Sequence, residues 1–122
     1  MNETDIQKLL QEANDNVPRL SFEEANNLIN TTNTLIIDVR EIPEIEATGL
    51  IKNAVNIPKS IIDANFDHSL IKNHLNDNED ITILVYCAVG VRSSLVGHKL
   101  IKNGYKKVLN LGGFAEWVEN NK

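Results

Sequence analysis

The chain has 122 residues, 42% of them hydrophobic, enough to bury one core and too few for two domains of ordinary size. A formal net charge of −5 argues against a nucleic-acid partner, whose phosphates are held by an excess of Lys and Arg. A lone cysteine excludes an internal disulfide and a Cys-rich metal site, and it suits a reducing compartment.

The acidic start, Met1 to Asp5, lacks the apolar run of a signal peptide and the Arg-rich bias of a transit peptide, so a cytoplasmic protein is expected. Thr4 with Gln7 reads as a capping box for a first helix with Ile6, Leu9, Leu10 and Ala13 on one face, broken over Asn14 to Pro18. Ser21 with Glu24 opens a second helix whose apolar side is Phe22, Ala25, Leu28 and Ile29. Thr34 to Val39 is a run of branched residues of the kind buried on both faces of a parallel sheet, with Asp38 and Arg40 at its C-terminal end. A helical turn is expected around Pro43 to Ala47, then a short strand over Ala54 to Ile57 closed by Pro58; residues 59–66 give no clear signal.

Asp67 caps a helix through Leu70, Ile71, His74 and Leu75, and Asn76 to Asp80 forms a polar turn. Ile81 to Tyr86 is the clearest central strand, and it delivers Cys87 at its C-terminal end. Ser93 to Asn103 reads as a helix with Leu95, Val96, Leu100 and Ile101 turned inward and Gly104 as its C-terminal cap. Lys107 to Leu111 is a strand, Gly112-Gly113 a turn, and Phe114 to Asn121 a closing helix whose Trp117 covers the sheet. This alternation predicts an α/β fold: short parallel strands with crossover helices on both faces.

In open α/β sheets ligands bind beyond the carboxyl ends of the strands, which is where Cys87 falls. Ala88, Val89, Gly90, Val91 and Arg92 then form a tight loop whose N–H groups can converge on one point, Gly90 allowing the positive φ that such a nest needs. Those donors and the start of the following helix favour a thiolate or persulfide anion at Cys87. Arg92 adds a permanent positive charge that either binds an incoming anion or braces the loop. A lone Cys at a strand end is more often a small buried hydrophobe, but the Gly-containing loop, the Arg and the helix behind it are the context that activates a nucleophile.

From Cys87 to Ser93 the chain resembles the rhodanese-like family, whose active-site loop commonly reads C-R-x-G-x-R-S. Asp38-Val39-Arg40-Glu41, Gly49-Leu50-Ile51, Ala54-Val55-Asn56-Ile57-Pro58, Gly104-Tyr105, Val108, Asn110-Leu111, Gly112-Gly113-Phe114 and Trp117 resemble its other signatures, in family order. The resemblance implies a rhodanese-like domain over residues 18–122, a central parallel sheet of about five strands flanked by helices on both faces, behind an N-terminal helical extension, 1–17. It implies a thiosulfate sulfurtransferase that moves a sulfane sulfur from a small-molecule donor to cyanide, a thiol or a protein. Cys87 would be the catalytic residue and Ala88, Val89, Gly90, Val91 and Arg92 the substrate-binding loop. The family often has Arg where this chain has Ala88 and His where it has Leu50, so neither role is carried over.

Two rivals differ in class. A non-catalytic binding or sulfur-carrier module is motivated by Ala88. A phosphatase is disfavoured by loop length, because related phosphatases and arsenate reductases place five residues between Cys and Arg and this chain places four. No metal, cofactor or membrane partner is expected: His68, His74 and His98 lack ligand spacing and read as solvated or satisfied side chains. Asp38 and Arg40 read as an ion pair fixing the strand end.

Overall fold

A computed structural model describes residues 3–75 and 80–121. Among the described residues seven helices and four strands alternate as α1 (Glu3–Asn16), α2 (Phe22–Thr31), β1 (Thr34–Asp38), α3 (Ile42–Thr48), β2 (Val55–Asn56), α4 (Lys59–Ala64), α5 (Ser69–Lys72), β3 (Thr82–Cys87), α6 (Val91–Lys102), β4 (Val108–Gly113) and α7 (Phe114–Asn120). The strands are parallel in the order β2-β1-β3-β4. Beyond β4, Arg19 makes an isolated parallel bridge to Asn110, so the described residues give four strands and one bridging pair, close to the five expected. Pro18 just before it has no N–H to continue a ladder.

The branched runs of β1 and β3 alternate their side chains between two buried layers, as a period of two requires. Leu35, Ile37, Val39, Ile83, Val85 and Cys87 face one core, shared with Val96 and Leu100 of α6 and Ile62 of α4. Ile36, Leu84 and Tyr86 face the other, where Ala25 of α2 is buried and Phe114 and Trp117 of α7 pack. Phe22 and Trp117 join the two outer helices there, ring centroids 4.8 Å apart.

The capping box at Ser21 forms, its hydroxyl accepting from Glu24 N at 3.1 Å while Glu24 Oε1 accepts from Ser21 N at 3.0 Å. Thr4 is no cap, because α1 already includes it, and Ile6 is exposed while Ala13 and Val17 are buried. Residues 59–64, silent in the sequence, are helical, with Pro58 as N-cap. Of the expected turn over Asn76 to Asp80, residues 76–79 lie outside the described residues. Gly112-Gly113 is not a turn but the end of β4. Register slips between Val85 and Tyr86, which pair with Asn110 and Gly112, so Leu111 is an extra residue that re-aims Asn110.

One face of α6 is more deeply covered than its periodicity predicts. Ser93, Ser94, Gly97 and His98 are buried together with Val96 and Leu100. The cover is α1: Ser94 Oγ bonds Asn14 Oδ1 at 2.6 Å, and a Cβ on Gly97 would meet Val17 at 2.8 Å. His98 is therefore buried rather than solvated, with Nε2 3.4 Å from a Glu12 carboxylate oxygen. Among the described residues no helix is long and apolar enough to cross a membrane.

Candidate functional site

Cys87 is the last residue of β3, and the chain behind it turns sharply into α6. Gly90 makes the turn, with φ of 101°, and it is the N-cap of that helix. Val91 and Arg92 consequently belong to the first helical turn and not to the loop, which contracts to Ala88, Val89 and Gly90. The cause is backbone: a left-handed residue reverses the chain in one step, and only glycine does so without a steric penalty.

This compact turn aims donors at one atom. Gly90 N donates to Cys87 Sγ at 3.0 Å and Ser93 N at 3.4 Å, and the Ser93 hydroxyl stands 3.5 Å away. Cys87 itself is fully buried. Burial alone pushes its thiol up, but the hydrogen bonds from Ser93 and from the main-chain N–H groups of Ser93, Gly90 and Val89 outweigh it, and the net shift is downward.

The Ser93 hydroxyl has one proton and two claimants. It donates to Asn110 Oδ1 at 2.8 Å, a better distance than 3.5 Å to sulfur, so the main-chain amides are the dependable donors to Sγ. Asn110, buried on β4, ties the turn together, accepting also from Gly112 N at 2.9 Å and donating from Nδ2 to Gly90 O at 3.0 Å. Sequence reading found Ser93 and Asn110 only as members of a pattern and gave neither a role.

Arg92 braces rather than waits. Its two terminal nitrogens hold the two oxygens of Glu44 at 2.6 and 2.8 Å, which draws the N-terminal turn of α3 against α6. The hydrogen bonds from Arg92 lower the Glu44 carboxyl to about 2, against the opposing effect of burial. Glu44 is the residue most clearly missed; its available signal was the Glu41–Glu44 capping box, in which Glu41 N donates to Glu44 Oε1 at 3.1 Å. Arg19 packs on the outer side of the turn, donates to Val89 O at 3.4 Å and pairs with Glu116.

Ala88 offers no charge, and Val89 and Val91 turn their side chains to solvent, 66% and 46% exposed. Asp38 and Arg40 lie on the opposite face of the sheet from Cys87. Arg40 Nε and Nη2 bond the Asp38 carboxylate at 2.8 to 3.1 Å, and its guanidinium lies 4.3 Å from the Phe114 ring centroid. Both are buried, as an ion pair fixing the end of β1.

The chain is similar to known proteins. A sulfurtransferase from Allochromatium vinosum is 31% identical over 94 residues, which cover 76% of this chain and 79% of that protein. A tRNA uridine(34) hydroxylase from Photorhabdus laumondii is 29% identical over 100 residues, 81% of this chain but 28% of that protein. The chain thus spans only 28% to 51% of the first curated relatives it matches. Among solved structures, a protein of unknown function from Rhodopseudomonas palustris, described as a possible tyrosine phosphatase, has a TM-score of 0.82 at 27% identity and covers 99% of this chain and 94% of that one. The model of the rhodanese-like domain matches residues 21–120, from the N-cap of α2 to the end of α7 and across the whole Cys87 turn. The chain therefore belongs to the rhodanese-like family, among whose relatives are sulfurtransferases.

Proposed function

We propose that this chain is a sulfurtransferase that carries a sulfane sulfur on Cys87 as a persulfide. The observation that supports it best is the convergence of the Gly90 and Ser93 amides on one sulfur atom. Such donors are oriented before reaction and stabilise an anionic sulfur without reorganising. In the proposed cycle the Cys87 thiolate attacks the donor's sulfane sulfur and the donor's remainder leaves with the bonding electron pair. An acceptor nucleophile then removes that sulfur from the persulfide and regenerates the thiolate.

Gly90, Val89 and Ser93 hold the anion, Asn110 fixes the turn, and Arg92 braces it through Glu44. Since Cys87 is fully covered, transfer requires the turn to open far enough to admit a second sulfur atom. Small-molecule donors and thiol or protein acceptors, and a cytoplasmic setting that keeps the lone thiol reduced, go with this reading. The four-residue spacing from Cys87 to Arg92 supports sulfur chemistry over phosphate hydrolysis, so aryl phosphate turnover is expected to be absent.

The test is intact mass spectrometry after incubation with a sulfane-sulfur donor. One added sulfur is expected on the chain and none on Cys87→Ala. Labelling that survives this substitution overturns the assignment.

A further inference from the structure

Residues 18–20 are tied to the Cys87 turn through Asn110. Its main chain holds the segment, Asn110 N donating to Pro18 O and Leu20 N to Asn110 O, both at 2.9 Å, while its side chain bonds Gly90 O and Gly112 N. Arg19 is thereby delivered to the outer side of the turn, where its guanidinium lies against two glycines. A Cβ on Gly90 would stand 2.8 Å from Nη1 and one on Gly112 3.1 Å from Nη2, so the slot exists because neither residue has a side chain. Glu116 of α7 pairs with the guanidinium and keeps it there.

Arg19 Nη1 donates to Val89 O at 3.4 Å, and Gly90 N donates to Cys87 Sγ at 3.0 Å. That oxygen and that N–H belong to one planar trans peptide, so they point in opposite directions. Gly90, with φ of 101°, does little to fix the unit, because glycine accepts positive and negative φ about equally and lets the peptide turn over, taking its N–H off the sulfur. The hold has to come from whatever meets the oxygen. The Arg19 contact is long for a hydrogen bond, but it sets a full positive charge against the carbonyl dipole. We propose that Arg19 is a positioning residue for Cys87: seated between Gly90 and Gly112, it holds the Val89 carbonyl outward and so keeps the Gly90 N–H aimed at Sγ. This rests on the sulfurtransferase reading and adds to it a residue outside the turn, two positions before the stretch that the rhodanese-like model matches. Arg19 acts through the peptide, whereas Arg92 interacts with Cys87 itself.

The experiment follows alkylation of Cys87 by iodoacetamide against pH in the full chain, in Arg19→Met and in Arg19→Lys, with urea unfolding of each. Methionine keeps an unbranched apolar stem and removes the charge and the donors. The Arg19 side chain is 47% exposed and its pair with Glu116 lies at the surface, so both variants should fold with near-native stability. In Arg19→Met the midpoint of the rate–pH profile is expected about half a pH unit higher, a roughly threefold loss of rate at a pH well below it. Lysine keeps a charge and a donor for the Val89 oxygen, so Arg19→Lys should lie nearer the native midpoint than Arg19→Met does. A native midpoint in Arg19→Met overturns the proposal, because the peptide then stays in place without the guanidinium. A lysine variant no nearer native than the methionine one also overturns it, by assigning the effect to packing alone. Sulfur loading is read separately by intact mass: if no donor adds a sulfur to native Cys87, the underlying reading falls while the alkylation profile still decides the role of Arg19.

Discussion

Gly113 at the end of β4 abuts the Ala88 carbonyl so closely that a Cβ on residue 113 would stand 2.5 Å from its oxygen and 3.0 Å from Val89 Cα. Neither contact is with the flexible end of a side chain, so the backbone of the Cys87 turn must move to admit a methyl group. Gly113→Ala is therefore expected to cost about 1–3 kcal/mol by overpacking. It should also displace the amides that face Sγ and abolish sulfur loading in the folded protein. Urea denaturation and intact mass measure the two effects; normal loading at normal stability would show that the turn is looser than its packing.

The downward shift of Cys87 sets a pH dependence. The thiolate is the reacting form, so the alkylation rate rises as pH climbs through the thiol pKa, and a lowered pKa moves that rise to lower pH. The midpoint of the rate–pH profile is expected below the ordinary thiol value of about 8.5. Ser93→Ala should move it upward but leave it below that value, because the Gly90 and Ser93 amides remain. A midpoint that returns fully to the ordinary value would assign the shift to the hydroxyl alone. Since Cys87 is fully buried, a bulky maleimide should react more slowly than iodoacetamide at every pH.

The Asp38–Arg40 pair tests structure without chemistry. Arg40 is 2% exposed and Asp38 0%, so Asp38→Asn leaves a buried guanidinium without its counter-charge. The expected loss is about 3–5 kcal/mol of unfolding free energy. The folded fraction should still load sulfur, because the pair faces away from Cys87. A loss of less than about 1 kcal/mol, the range of surface pairs, would mean that Arg40 reaches solvent or another partner when Asp38 is neutral.

What could be read from residues alone was whatever short-range physics dictates. The branched runs of β1 and β3, the Ser21 capping box and the placement of Cys87 at a strand end all follow from periodicity and local hydrogen bonding, which need no knowledge of neighbours. Gly90 as the residue of positive φ belongs to the same class. Tertiary contact decided the rest. Gly113 looked like a turn residue until Ala88 was placed across from it, and His98 looked solvated until α1 covered α6. Glu44 drew no reading of its own in the sequence, because its partner, Arg92, lies 48 residues away. Those outcomes depend on which distant segments the parallel sheet brings together, and a single residue's type does not encode its partner across the fold.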